Sequence, residues 1–257
     1  MNFSKVTFKA AKTIVDLVIV ISLLIAGLYA CYALWDNYRV YVKADNVQED
    51  MLKYKPDLSK NDGRKSIKKS FAELRAINPD VCAWLTVNNT RIDYPVLQGK
   101  DNLSYINTDV YGDFTLAGSI FLDSRCSNDF SDDYSIIYGH HIANGRMFGD
   151  LDKFKEKAFF DKNKTGNLIT PEKTFKLEIF SVFTVGDSDE TLFTPEKNAD
   201  LSIIYRYSDS KALYYDGSVA GKLLSPQGNA QVLSLSTCSS EFTDARTVVL
   251  ALMVPQK

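Results

Sequence analysis

The chain has 257 residues, of which 45% are hydrophobic, 24% charged and 12% aromatic, with a formal net charge of −2. That length accommodates one domain of ordinary to large size with appendages, and the apolar share is enough for a sizeable core. The near-neutral balance argues against nucleic acid or a broadly anionic surface as partner.

The first element in chain order is Leu17 to Trp35, nineteen residues without a charge. As a helix it spans about 28 Å, close to the hydrocarbon thickness of a bilayer. Lys5, Lys9 and Lys12 precede it, and residues of both signs follow (Asp36, Arg39, Lys43, Asp45, Glu49, Asp50). The positive-inside rule then keeps the N-terminus in the cytoplasm and sends the rest across, which makes 1–12 a cytoplasmic tail and 13–35 a single-pass anchor. A cleaved signal peptide has a shorter apolar core and a small-x-small exit, which is not clear here. Leu28-Tyr-Ala-Cys31 resembles a lipoprotein cleavage box, but Tyr29 fits it poorly and the apolar run continues past Cys31.

Residues 36–77 are polar and read as helical. Phe71, Leu74 and Ile77 recur at helical spacing, Asp62-Gly63 marks a break between two helices, and Asn78-Pro79 ends the second. This segment reads as a spacer with one amphipathic helix packed on the main domain, 78–257.

From Val81 onward the pattern turns to β. Strands are expected near 81–87, 91–97, 117–122, 134–139, 165–170, 174–185, 231–238 and 246–254, with turns at Asn88-Asn89 and Pro171-Glu172. Eight strands in this length suggest a closed or nearly closed barrel, which leaves few exposed edges. Phe148, Leu151 and Phe154 suggest a short helix, and the stretch 186–230 is too long for a bare loop, with a helix expected from Ala199 to Tyr207.

The four cysteines, Cys31, Cys82, Cys126 and Cys238, form no CxxC pair, which argues against a zinc knot or a thioredoxin-type centre. Cys82, in a strand-like run, is most simply a small buried hydrophobe, and sequence leaves a Cys82–Cys126 disulfide open. Cys238 differs. Strand alternation puts it with Ser234 and Ser236, away from Leu233, Leu235 and Thr237, and it closes its strand. Eight residues later Arg246 opens an apolar strand, a step that suits two antiparallel neighbours. The only two histidines are adjacent, His140 and His141. They fall on opposite faces if the strand 134–139 continues, so only one faces a given site, and the residues alone leave the choice open. A thiol, an imidazole and a guanidinium supply a nucleophile, a proton carrier and an oxyanion stabiliser, the parts of an acyl-transfer site.

These residues resemble a sortase of class B. The resemblance runs through Asn78-Pro-Asp80 with Trp84-Leu85, Thr90-Arg-Ile-Asp-Tyr-Pro-Val-Leu-Gln98, Gly118-Ser-Ile-Phe-Leu-Asp123, Tyr138-Gly-His-His141 with Met147-Phe-Gly-Asp-Leu151, and Leu235-Ser-Thr-Cys238 with Arg246. Ser234 stands where the family's T-L-x-T-C signature usually has Thr. The resemblance implies a mainly β, eight-stranded sortase-type barrel with N-terminal helices and a helix in the long connection before the cysteine strand. It favours His140 over His141. It implies a membrane-anchored cysteine transpeptidase in which Cys238 attacks the carbonyl of a C-terminal sorting motif after Thr, His140 protonates the departing amine and Arg246 stabilises the oxyanion. Such enzymes work from a minor thiolate–imidazolium fraction, in keeping with the lack of a motif that acidifies the thiol. A cell-wall precursor amine, from lipid II or peptidoglycan, then resolves the thioacyl-enzyme. Partners would be secreted proteins bearing sorting signals.

By the same resemblance Asn102, Ile106, Tyr138, Ser236 and Thr237 are candidate substrate-binding residues, and the 186–230 connection would form a groove wall. No cofactor is expected. Asp187, Asp189 and Glu190 invite a calcium reading, but their spacing lacks an EF-hand's central glycine and terminal glutamate, so no metal is expected. Two rival enzyme classes fit less well. The Ser-His-Gly-Cys-Arg motif of an L,D-transpeptidase is absent, and a papain-like peptidase places Cys before His. A non-catalytic membrane-anchored barrel would leave the Cys, His and Arg as coincidence.

Overall fold

The computed structural model describes residues 3–58, 63–224, 230–238 and 245–256, residue 238 by its backbone. The chain divides into two compact units, 1–42 and 43–257. Helix α1 runs from Phe3 to Leu52. The sequence pattern ends the anchor at residue 35; the helix itself continues because 36–52 contains neither Pro nor Gly to stop it. In the first unit the apolar side chains from Ile14 to Trp35 are exposed, and α1 holds a segment long and apolar enough to cross a membrane. Helix α2 spans Gly63–Ile77 and buries Ile67, Phe71 and Leu74, one stripe at i, i+4 and i+7. It stops at Asn78-Pro79, as the sequence predicts. Asp62 of the expected helix break lies outside the described residues.

Strands β1 (Val81–Val87), β2 (Asp93–Leu97), β3 (Phe121–Leu122), β4 (Tyr134–Ile142), β6 (Thr165–Ile169), β7 (Thr174–Gly186), β9 (Gln231–Cys238) and β10 (Ala245–Pro255) form a closed ring. Its order is β10-β9-β4-β3-β2-β1-β6-β7, and β7 returns to β10 through the longest ladder, Pro255↔Phe175 to Ala245↔Gly186. These are the eight strands the pattern predicts. Two further strands, β5 (Arg146–Met147) and β8 (Tyr214–Tyr215), have two residues each and are too short to leave a periodicity in the sequence.

The expected strand 117–122 shrinks to its last two residues. At Gly118 the backbone takes φ +57 and passes so close to Ile106 that a Cβ there would sit 2.1 Å from the Ile106 carbonyl oxygen. Ser119 N–H donates to Tyr105 O instead of to a strand neighbour. The expected strand 91–97 starts two residues late because Ile92 N–H donates to the Thr90 hydroxyl within the turn.

After β5, Phe148, Leu151 and Phe154 are buried on and beside the 3-10 segment Gly149–Lys155, followed by α3 (Lys157–Lys162). The connection from β7 to β9 holds α4 (Glu190–Phe193), α5 (Leu201–Lys211) and α6 (Gly217–Ala220). The expected helix 199–207 is α5, which starts at Leu201 because the Asp200 carboxylate caps the Ser202 N–H. Tyr134 donates its hydroxyl to Leu192 O, tying this connection to β4.

Candidate active site

β4 and β9 run parallel, in register from Tyr134↔Val232 to His140↔Cys238. Adjacent strands lie about 4.8 Å apart, so His140 and Cys238, nearly a hundred positions apart in the chain, are Cα partners at the ends of neighbouring strands. On the other side of β9, β10 pairs antiparallel from Met253↔Gln231 to Val248↔Ser236. Beyond that pair β10 runs on to Arg246, which pairs with Val185 of β7 and reaches the Thr237 carbonyl through Nη1. The three residues therefore lie on three consecutive strands at the barrel rim, with the strand of Cys238 in the middle. The Cys238 side chain and residues 239–244 lie outside the described residues.

His140 is half-buried, with Nε2 2.7 Å from Ile106 O. A carbonyl oxygen only accepts, so Nε2–H is the donor in this contact. Two glycines make this placement. Gly118 lets the Ile106 turn come close, as above. At Gly139, just before His140, a Cβ would meet Ile120 Cδ1 at 2.4 Å and the Phe148 ring at 2.9 Å, so only Gly lets Phe148 pack beneath the strand end.

Arg246 is mostly buried. Its Nη1 donates to Thr237 O at 3.0 Å, and Nη2 lies 3.7 Å from an Asp187 carboxylate oxygen. It is thus held beside Cys238 by the backbone of the preceding residue.

His141 takes another environment. It is exposed on the opposite face of β4, with Nε2 2.9 Å from Asp152 Oδ2. The hydrogen bond to Asp152 raises the His141 pKa above its ordinary value, and the same bond holds the Asp152 carboxyl far below the carboxylate range. Thr247 donates its hydroxyl to Asp152 Oδ1 at 2.7 Å. Sequence reasoning misses Asp152 and Thr247, and neither carries a motif that singles it out.

Two of the other cysteines are chemically quiet. Cys82 and Cys126 are free, so the disulfide left open by the sequence is not formed, and burial pushes both thiols up to about 12. A thiol of that acidity is a poor source of thiolate. Cys31 lies in the apolar segment of α1.

The candidate substrate-binding residues divide. Ile106 is half-buried and its carbonyl meets the His140 ring. Asn102 is half-buried, accepting from Ser124 N–H through its side-chain oxygen. Tyr138, two residues before His140 on the same face, donates its hydroxyl to Asp123 at 3.1 Å. Asp123 is fully buried and clasped by Arg125 through two side-chain bonds of 2.9 and 2.7 Å. Ser236 and Thr237 differ from expectation. At 0% and 2% exposure they present no surface to a ligand, because β9 is covered on both faces. The acidic cluster is dispersed among separate partners. Asp187 approaches Arg246, Asp189 caps Leu192 N–H and accepts from the Tyr207 hydroxyl, and Glu190 pairs with Lys197.

A family model described as the sortase domain matches residues 85–254. The curated sortase B of Listeria monocytogenes is 32% identical over 206 residues, covering 78% of this chain and 80% of that protein. Among solved structures, a Streptococcus pyogenes class B sortase involved in pilus biogenesis is 38% identical, with a TM-score of 0.63 over 71% of this chain and 97% of that one. A substrate complex of Staphylococcus aureus sortase B is 26% identical, with a TM-score of 0.72 over 84% of this chain and 98% of that one. The ring of eight strands, the parallel β4–β9 pair and these matches agree: the chain belongs to the sortase family, in its class B, the cysteine transpeptidases of cell-wall anchoring.

Proposed function

We propose that Cys238, His140 and Arg246 carry the transpeptidation. The observation that supports this reading is the pairing of His140 with Cys238 across β4 and β9, together with the Arg246 guanidinium donating to the carbonyl of Thr237 beside Cys238. The Cys238 thiolate attacks the scissile carbonyl of a sorting motif after Thr. Arg246, whose head is already directed to the end of β9, stabilises the negative oxygen of the tetrahedral intermediate. His140 gives a proton to the departing amine, and the intermediate collapses to a thioacyl-enzyme. An amine of a cell-wall precursor, lipid II or peptidoglycan, then attacks the thioester, loses a proton to the imidazole and releases the thiolate. Asn102, Ile106 and Tyr138 line the approach to this rim. Ser236 and Thr237, being buried, act as supports beneath it.

The domain boundaries read as a cytoplasmic tail 1–12, an anchor 13–35, a helical spacer 36–77 and the catalytic barrel 78–257. The apolar segment of α1 supports a single-pass anchor with the N-terminus in the cytoplasm and the barrel outside, where sorting-signal-bearing proteins and the acceptor amine are met.

The test is cleavage of fluorogenic peptides carrying NPQTN, NPKTG and LPxTG-like motifs by the full chain in detergent micelles. Slow cleavage after Thr is expected, with near-complete loss in Cys238→Ala, His140→Ala and Arg246→Ala. His141→Ala retains about a tenth of the parent activity or more, well above His140→Ala. A Cys238→Ala variant that still cleaves would refute the assignment, and a dead His141→Ala beside a working His140→Ala would move the proton carrier by one residue.

A further inference from the structure

β4 and β10 flank β9 and, among the described residues, do not pair with each other. Whatever fixes the spacing between His140 and Arg246 must act through β9 or around it. Through β9 the connection is uneven. On the β4 side the regular register reaches His140↔Cys238, whereas on the β10 side it runs only to Val248↔Ser236. Beyond that point the described contacts involve side chains: Thr247 N–H donates to the Thr237 hydroxyl at 3.1 Å, and Arg246 to the Thr237 carbonyl. The first residues of β10 are otherwise held by β7, through Ala245↔Gly186 and Arg246↔Val185.

Around β9, a direct link joins the two strands among the described residues. The Asp152 carboxylate takes His141 of β4 on Oδ2 at 2.9 Å and Thr247 of β10 on Oδ1 at 2.7 Å, and Lys155 approaches the same Oδ1 at 2.7 Å. His141 and Thr247 immediately follow His140 and Arg246. Since strand residues alternate faces, fixing the followers on one face fixes the two candidate reacting groups on the other. Asp152 itself has a rigid base. Its 3-10 segment buries Leu151 and Phe154, and Phe148 N–H at its start donates to the carbonyl of His140 at 2.9 Å.

We infer that Asp152 is a positioning residue, a strap from β4 to β10 that sets the spacing of His140 and Arg246 on either side of Cys238. The inference rests on the proposed roles of those three residues. Asp152 touches no reacting atom, and its effect passes through His141 and Thr247. Thr247 is the decisive handle, because it is buried and its hydroxyl can be removed without changing its shape.

The experiment measures kcat and KM of the full chain in micelles on the NPQTN peptide, with thermal unfolding of each variant. Thr247→Val and Asp152→Ala are each expected to lower kcat about tenfold with KM changed less than about twofold, since a small misplacement of reacting groups is felt in the chemical step. Thr247→Ser, which keeps the hydroxyl, restores kcat. The Asp152→Ala/Thr247→Val double variant is no slower than the slower single, as expected for the strap and one of its ends. Unfolding midpoints stay close to the parent. A Thr247→Val variant with kcat within about twofold of the parent overturns the proposal, as does a Thr247→Ser variant as slow as Thr247→Val, or a double variant showing the product of the two losses. Cys238→Ala in the same assay separates the two readings: if it cleaves, the catalytic assignment fails, and if it is inert while Thr247→Val is unimpaired, only the strap fails.

Discussion

Around Trp84 the barrel is closed by apolar side chains. Phe71 and Leu74 of α2, Val81 and Trp84 of β1, Leu97 and Phe121 form one buried cluster, and Trp84 spends its only donor on Asp93 at 2.7 Å. Around His140 the same barrel is held by polar contacts: Ile106 O on His140, Asp152 on His141 and Thr247, Thr237 O on Arg246. The first region is redundant, because each apolar contact is non-directional and shares its burial with many neighbours. The second is directional, and each contact sets one group. Stability and chemistry are therefore expected to separate between the two regions.

The sharpest way to break that comparison is to remove the reacting groups. Cys238→Ala and His140→Ala are expected to lower peptide cleavage by at least about 10³-fold, as for residues acting as one catalytic unit, while thermal unfolding midpoints stay near the parent. A large drop in midpoint for either would mean that the rim also holds the fold. The converse substitution is Phe71→Ala. Phe71 is fully buried, so losing its ring leaves a cavity and costs about 3–4 kcal/mol of unfolding free energy, measured by chemical denaturation. Its kcat on the folded fraction should match the parent.

How far each region is legible in the sequence follows the same divide. The apolar ring is readable because β alternation and helical spacing are repeated signals: all eight strands form, though 117–122 keeps only its last two residues, and α2 buries Phe71 and Leu74 of the predicted stripe, with Ile67 in place of the half-buried Ile77. Cys238 and Arg246 stand out by their places at strand ends, whereas the choice of His140 over His141 rests on the resemblance to class B sortases, since the residues alone leave it open. The polar supports carry no such mark. Asp152 is one of thirty-two acidic residues, and nothing local marks it as the partner of strands from both ends of the domain. The Ile106 carbonyl belongs to the main chain and leaves no trace in residue type. Burial is not legible at Ser236 for a related reason: a serine on the polar side of its strand gives no sign that the sheet covers it completely.

Gly118 couples the two regions and gives an intermediate effect. Its φ is +57, and a Cβ placed there would lie 2.1 Å from Ile106 O, which leaves no room for a side chain. Gly118→Ala is expected to cost about 2–3 kcal/mol of stability, a strain-class loss. It should also lower kcat, because the Ile106 carbonyl that holds the His140 ring must move. Equal loss of stability with unchanged kcat would show that His140 does not depend on that carbonyl.

The smallest effect is the pH dependence of the His141–Asp152 pair. Asp152 is held well below the carboxylate range and stays ionised, while His141 is raised above its usual value by the Asp152 hydrogen bond. A raised histidine contributes its stability in full below the unfolded-state value, about 6.5, and loses it as pH rises through the folded-state value. Both side chains are about two-fifths exposed, so solvent screens the pair and the contribution stays below about 1 kcal/mol. His141→Gln keeps a donor for Asp152 and removes the charge. Chemical denaturation should find the parent more stable than His141→Gln at about pH 5.5 and equal to it at about pH 8.5, on either side of that titration. A gap that is the same at both values would assign the contact to hydrogen bonding alone, and the strap across β9 would then owe nothing to charge.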